Sequence, residues 1–315
     1  MNSVNNYIKA AITSAGLLLA PFSLAGEKVD QTLTSAGVNA VTIENVSGDV
    51  TIIGWDKAKV TVKGELDDKA EKLIFEQVGK TINIKVELPN HGSWHSKGSE
   101  LVIHMPANLR MNFESVSSDV ELKNLTSNAT VKTVSGDIKA TELTEHIELS
   151  SVSGNISTTE LQGKINLATV SGDIEDINSS GRLQLQAVSG EITSNSRANE
   201  VFINNVSGNT ELSLARIDEC KISTVSGDTK VSLFLQNNGV VKASSVSGEV
   251  LLDFQNDIAA DFRLKANAGG ELINKLTNQK ADRAKYGPSA KLYFQTGDAN
   301  SSVRVNTVSG DVIVK

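Results

Sequence analysis

Cysteine is nearly absent from this 315-residue chain: Cys220 stands alone, so no internal disulfide can staple the fold. Aromatic residues make up only 4%. A core with so few rings must be filled by Val, Ile, Leu and Ala, which suits thin stacked sheets. The same shortage disfavours a ring-lined platform for sugars or bases. Positive charge is also short. Thirty Lys and Arg face 37 Asp and Glu, a net charge of −7, and nucleic acids and anionic membrane surfaces need clustered cations. Beyond the first 25 residues no apolar run is long enough for a membrane helix, so an integral membrane protein is not expected. No motif asks for a cofactor, and no Gly-x-Ser-x-Gly elbow occurs.

What is present begins with an export pattern. Lys9 precedes the apolar run Ala10 to Ala20; Pro21 breaks it, and Ser23-Leu24-Ala25 supplies small residues for cleavage. Residues 1–25 therefore read as a signal peptide, and the mature chain as periplasmic, secreted or surface-exposed. No cysteine follows the cleavage site to carry a lipid.

The rest is a repeat. The phrase Val-Ser-Gly-(Asp/Asn/Glu) starts at Val46, Val134, Val152, Val170, Val188, Val206, Val225, Val246 and Val308, with a serine variant at Val116. A decayed copy lies at Ala268-Gly269-Gly270-Glu271. Apolar residues hold fixed columns around it: five before (Ile147, Ile165, Leu183, Val201, Cys220), three before (Leu149, Leu167, Leu185, Ile203) and four after (Ile138, Ile156, Ile174, Ile192). Two columns two residues apart are the mark of a strand with one buried face. Glycine then supplies a corner, and a second short strand follows. Such a unit buries its face only against its neighbours. The spacing predicts an all-β fold, a parallel β-helix with coils of about 18 residues. A propeller would need blades of about 40. Ten coils at about 4.8 Å would make a rod of roughly 45–50 Å.

Residues 26–315 read as one β-solenoid domain. It has an irregular β lead-in over 50–114, regular coils over 115–255 and irregular C-terminal coils over 256–315. The segment from Glu271 to Ala290, ending at Gly287-Pro288, reads as a long loop or short helix.

These features resemble the bacterial family DUF4097, whose members are called putative adhesins. The stretches that carry the resemblance are Val41 to Val50 with Gly54-Trp55-Asp56, then Leu101 to Pro106, the run of repeats, and the ending Val303 to Val312. Together they span nearly all of the mature chain. The resemblance implies a repetitive β architecture and brings no catalytic residue with it.

Among candidate chemistries, the column Asp119, Asp137, Asn155, Asp173, Glu191, Asn209, Asp228, Glu249 could ligate calcium or serve its own turns. Turn chemistry accounts for it better, because Asn155 and Asn209 interrupt the carboxylates. His91, Trp94 and His95 share the loop from Pro89 to Glu100, which the repeat does not explain. They are the candidate binding residues, because recognition concentrates on loops and on tryptophan. No cysteine or carboxylate pair completes a metal site there, and no metal is expected. His104 and His146 read as surface residues. The expected function is that of a non-catalytic binding, adhesin-like or scaffold module of the bacterial envelope. Its partner would be an envelope protein or a polysaccharide, and its oligomeric state is left open. The alternative is a carbohydrate-active β-helix enzyme, a lyase or hydrolase.

Overall fold

A computed structural model describes residues 26–89, 97–255 and 257–315. Among them every regular element is a strand, and all are joined in one hydrogen-bonded system, mostly parallel. Each coil contributes two strands. Thr144–Ser151 pairs in parallel with Gln162–Ser171, which pairs with Ser180–Ser189. Across the corner Ile156–Thr159 pairs with Ile174–Ile177, and that strand with Ile192–Ser196. The rod therefore has two faces. Their buried columns meet in one core.

The register reproduces the expected columns. Ile147 lies beside Ile165, Leu183 beside Val201, and Val201 beside Cys220. All five are essentially sealed from solvent. On the other face Ile138, Ile156, Ile174 and Ile192 stack in line. Opposite the glycine corner the chain turns back through left-handed residues at Asn124, Glu142, Glu160 and Asn178. Where the repeat stretches to 19 and 21 residues, the slack is absorbed at this side, as register shifts between Leu214 and Glu219.

Glycine's role is split: Gly48, Gly208, Gly227 and Gly248 have φ of +98 to +130°, the corner conformation expected of glycine, while the middle coils differ. At Gly136, Gly154, Gly172 and Gly190 the backbone is not left-handed. What excludes a side chain is proximity. A Cβ on Gly172 would lie 2.2 Å from the carbonyl oxygen of Gly154, and one on Gly190 only 1.9 Å from that of Gly172. At the serine variant the side chain is buried and its hydroxyl has a polar partner in the neighbouring coil: Ser118 Oγ accepts a hydrogen bond from Asn45 Nδ2 at 3.1 Å.

Both ends depart from sequence order. The first repeat, Ala40–Trp55, lies between Arg110–Lys123 on one side and the coil made by Thr81–Glu87 and Ser99–Pro106 on the other. The lead-in is thus a true terminal coil reached by an excursion of the chain. At the other end Ser301–Thr307 inserts between residues 240–245 and Ala260–Ala266, and Val312–Val314 between Val250–Phe254 and Leu272–Asn274. The decayed copy is the outermost coil: Glu271 N–H donates to Asp311 Oδ1 at 2.7 Å. About a dozen coils result, a rod of roughly 50–55 Å. The segment after Leu272–Asn274 holds a loop and the short strand Asp282–Arg283, with no helix.

Each end is closed by antiparallel strands. Lys72–Val78 covers Thr81–Glu87, and Lys28–Thr34 covers Lys59–Glu65. Ala290–Gln295 covers Ala260–Ala266, where Phe262 stacks on Phe294 at 4.4 Å and meets Phe254 edge-on. The outermost edges are thereby left to short strands, Lys28–Thr34 and Lys72–Val78 at one end and Leu272–Asn274 and Asp282–Arg283 at the other, and shortness and charge discourage further pairing.

Candidate binding surface

The corner is the feature repeated in every coil, and its residues divide the work. Apart from Ala187 and the half-buried Ser115, the residue before the phrase is polar and buried, as at Thr133, Ser151, Thr169, Asn205 and Thr224. At three coils its side chain reaches the glycine carbonyl of the previous coil. Ser151 Oγ donates to Gly136 O at 3.2 Å, Thr169 Oγ1 to Gly154 O at 3.1 Å, and Asn205 Nδ2 to Gly190 O at 3.2 Å. The backbone ladder runs on through the bend, as Ser153 N–H to Val134 O and Ser171 N–H to Val152 O, both at 2.8 Å.

The acidic column closes the same corner from the other side. Asp119 Oδ1 accepts the backbone N–H of Asp137; Asp137 accepts from Asn155; Asn155 Oδ1 accepts from Asp173; and Asp173 accepts from Glu191, all at 2.7–2.9 Å. Asn209 and Asp228 do the same. One oxygen suffices for this, so Asn and Asp serve alike. The column is therefore a backbone-satisfying ladder that runs between coils rather than within one turn.

The valine that opens each phrase faces outward. Val116, Val134, Val152, Val170, Val188, Val206, Val225, Val246 and Val308 are 40–53% exposed. They stack into an apolar stripe roughly 40 Å long. A shallow groove of about 660 Å³ runs beside it, floored by the buried Thr and Ser row and walled on one side by the valines. Lys132 is the one charged side chain in its lining. Lone exposed valines need no explanation, but a contiguous apolar stripe marks an interaction surface.

A second concavity, about 720 Å³, lies at the N-terminal end beside Trp55. The Trp55 ring packs on His104 at 5.0 Å, its Nε1–H donates to Lys59 O, and Lys57 Nζ lies 4.9 Å from the ring centre. His104 is thus half-buried against an indole rather than free on a face. His146 aligns with Lys164 and Arg182 on the outer surface, as expected.

Inside the rod, one core column turns polar. Asp176 is buried and accepts hydrogen bonds from Thr158 Oγ1 at 2.8 Å, Ser194 Oγ at 2.9 Å and Ser179 Oγ. Burial pushes its carboxyl up, and the three hydroxyls partly offset this. Cys220 is sealed in the core, its thiol pushed up to about 12 by burial. Among the described residues no group of three His, Cys, Asp or Glu is placed to hold a metal ion. Nor is any helix there long and apolar enough to cross a membrane.

Of the residues singled out from sequence, His91, Trp94 and His95 lie outside the described residues, as does the signal segment 1–25. The valine stripe and the Asp176 cluster were not singled out. A signal for the first existed. The buried columns five and three before each phrase extend, at period two, to the buried residue just before the valine, and so place the valine outside.

No curated protein matches the chain. Among solved structures it is similar to a putative cell adhesion protein from Clostridium sporogenes, with 12% identity over 92% of this chain and 99% of that one and a TM-score of 0.23. It is also similar to a putative adhesin from Bacteroides fragilis, with 13% identity over 92% and 97% and a TM-score of 0.35. The family model Toastrack DUF4097 matches residues 38–315, which takes in the full stack of coils. The chain belongs to the Toastrack family, DUF4097.

Proposed function

We propose that this protein is an exported, non-catalytic binding module of the bacterial envelope, and that the groove beside the valine stripe is its contact surface. The observation that carries the reading is the stripe itself, nine half-exposed valines in line on a chain whose other outward rows are mostly polar, with exposed apolar residues such as Val102, Ile177 and Phe234 standing singly. A groove that sets valines and alanines among small polar residues, with a single charge and no aromatic ring, fits a protein surface better than a polysaccharide, which stacks on rings. Export is supported by the signal-like residues 1–25, which precede the first strand at Lys28–Thr34.

Two measurements test the reading. Intact mass of the protein from fractionated cells should begin at Gly26 in the envelope fraction; a retained Met1 removes the export claim. A photo-reactive residue at Val188 should trap a protein adduct in cells, while one at Asn178, on the opposite turn, should not. Equal yields from the two positions, or none from Val188, would sink the groove as the contact surface.

A further inference from the structure

We infer that the occupant of the groove is a second copy of this chain, laid rod against rod with valine stripe on valine stripe; the inference rests on the groove being the contact surface. The first reason is period. The stripe presents one valine every 4.8 Å or so along the rod. A partner that fills the gaps between these valines needs knobs at the same interval, and another such solenoid face carries them. Turned end for end about a two-fold axis, the stripe is complementary to itself, each valine seated over the shallow notch between the outer methyls of two of the partner's. That is the isologous contact on which most homodimers are built.

Charge agrees with this. The protein carries a net −7, so two copies repel unless they meet across a neutral strip. The rows of the phrase valine, the serine after it and the small residue before it are such a strip, from Val116 to Val308. The acidic ladder lies beyond it, past the glycine, with its carboxylates already engaged on backbone N–H groups. Area agrees as well. A half-exposed valine still offers roughly 50 Å², so nine give about 450 Å² per copy. The flanking serine rows carry this toward the ~800 Å² per partner of a standard interface. End-on stacking is the competing mode, and the short, irregular edge strands at both ends disfavour it. At the N-terminal end the outermost of them, Lys28–Thr34, carries an exposed ion pair, Asp30 with Lys63 of its neighbour. Association is therefore lateral.

The test uses the full chain made in an exporting host. Sedimentation at about 100 μM should give a dimer that dissociates on dilution. Val170→Lys with Val188→Lys should sediment as a monomer at every concentration. Its melting temperature at low concentration should stay unchanged, because both side chains already face water. Cys220 is buried, so a cysteine placed in the stripe is the one reactive thiol. Val152→Cys, Val188→Cys and Val225→Cys should form interchain disulfides under mild oxidation, with only the site nearest the two-fold axis linking efficiently. A wild-type monomer at about 100 μM with no interchain disulfide overturns the self-pairing. If the Val188 photo-adduct is then another protein, the groove still binds and only its occupant was wrong; if there is no adduct, both readings fall.

Discussion

Replacing Gly172 by alanine should weaken the rod, although nothing in the local backbone conformation forbids alanine there. In an ordinary exposed position such a change stabilises by about 0.4–1 kcal/mol, because alanine restricts the unfolded chain. Here the new Cβ would lie 2.2 Å from Gly154 O and 2.7 Å from its carbon. Non-bonded carbon and oxygen keep roughly 3 Å or more apart, so the two coils must separate by about 0.8 Å. Two hydrogen bonds flank the contact: Ser171 N–H to Val152 O at 2.8 Å and Asp173 N–H to Asn155 Oδ1 at 2.9 Å. Each would stretch to about 3.6 Å, past the useful range. Losing both costs about 1–3 kcal/mol. The net expected loss is about 1–2 kcal/mol, or roughly 2–4 °C in melting temperature for a chain of this size. Circular dichroism near 218 nm follows the melt, and hydrogen exchange localises it, with the amides of Ser171 and Asp173 exchanging faster. An unchanged or higher melting temperature would refute the reasoning and return glycine to the role of a conformational hinge.

Asp176→Asn should raise the melting temperature at neutral pH. The folded-state pKa of Asp176 is raised above its unfolded value, so its stabilising contribution is complete below the unfolded pKa and is lost as pH rises through the folded one. The advantage of the asparagine variant should therefore shrink on acidification toward pH 4, and an advantage that grows instead would refute the sign. Cys220 should resist thiol reagents in the native protein and react only on unfolding, as a buried, protonated thiol does; stoichiometric labelling within minutes would contradict the stacked column. Asp173→Asn should leave thermal stability nearly unchanged because one acceptor oxygen remains, whereas Asp173→Ala should lower it by removing the acceptor for Glu191 N–H. Equal losses from the two variants would mean that charge, not the ladder, is what counts there.

The stacking of the coils was legible because it is written in residues that repeat. A coil that buries Ile165 and Leu167 must bury Leu183 and Leu185 in the same places, so eighteen-residue spacing and period-two alternation suffice to set the register. The order of the terminal coils was not legible. The Val46 phrase carries nothing local to say that Arg110–Lys123, some seventy positions later, is its neighbour, or that Thr81–Glu87 and Ser99–Pro106 pack on its other side. That is decided by which exposed core faces need covering, a property of the assembled stack. The Asp176 cluster, by contrast, obeys the legible rules: Asp176 stands two residues after the buried Ile174 and eighteen from both Thr158 and Ser194. Its charge draws it to the surface in a reading by residue type, and only the contact with Ser179, from the adjoining turn, is not set by the repeat.

The four-residue phrase does more than stacking requires. The glycine allows close approach, the hydroxyl before the phrase latches onto the previous coil, and the acidic residue after the glycine satisfies the next coil's N–H. None of these acts through the valine side chain, whose backbone alone takes part in the ladder. Valine–valine contact along the stripe accounts for the half of each side chain that is covered. Threonine has the same branched shape and a similar strand preference, would stack as well, and would leave a hydroxyl in water. Yet from Val116 to Val308 the outward position of the corner keeps a methyl there, in a protein whose other outward rows carry Lys, Glu, Asn and Ser. A residue that costs solubility at each of nine successive coils and adds little to the rod itself is explained by something that covers it.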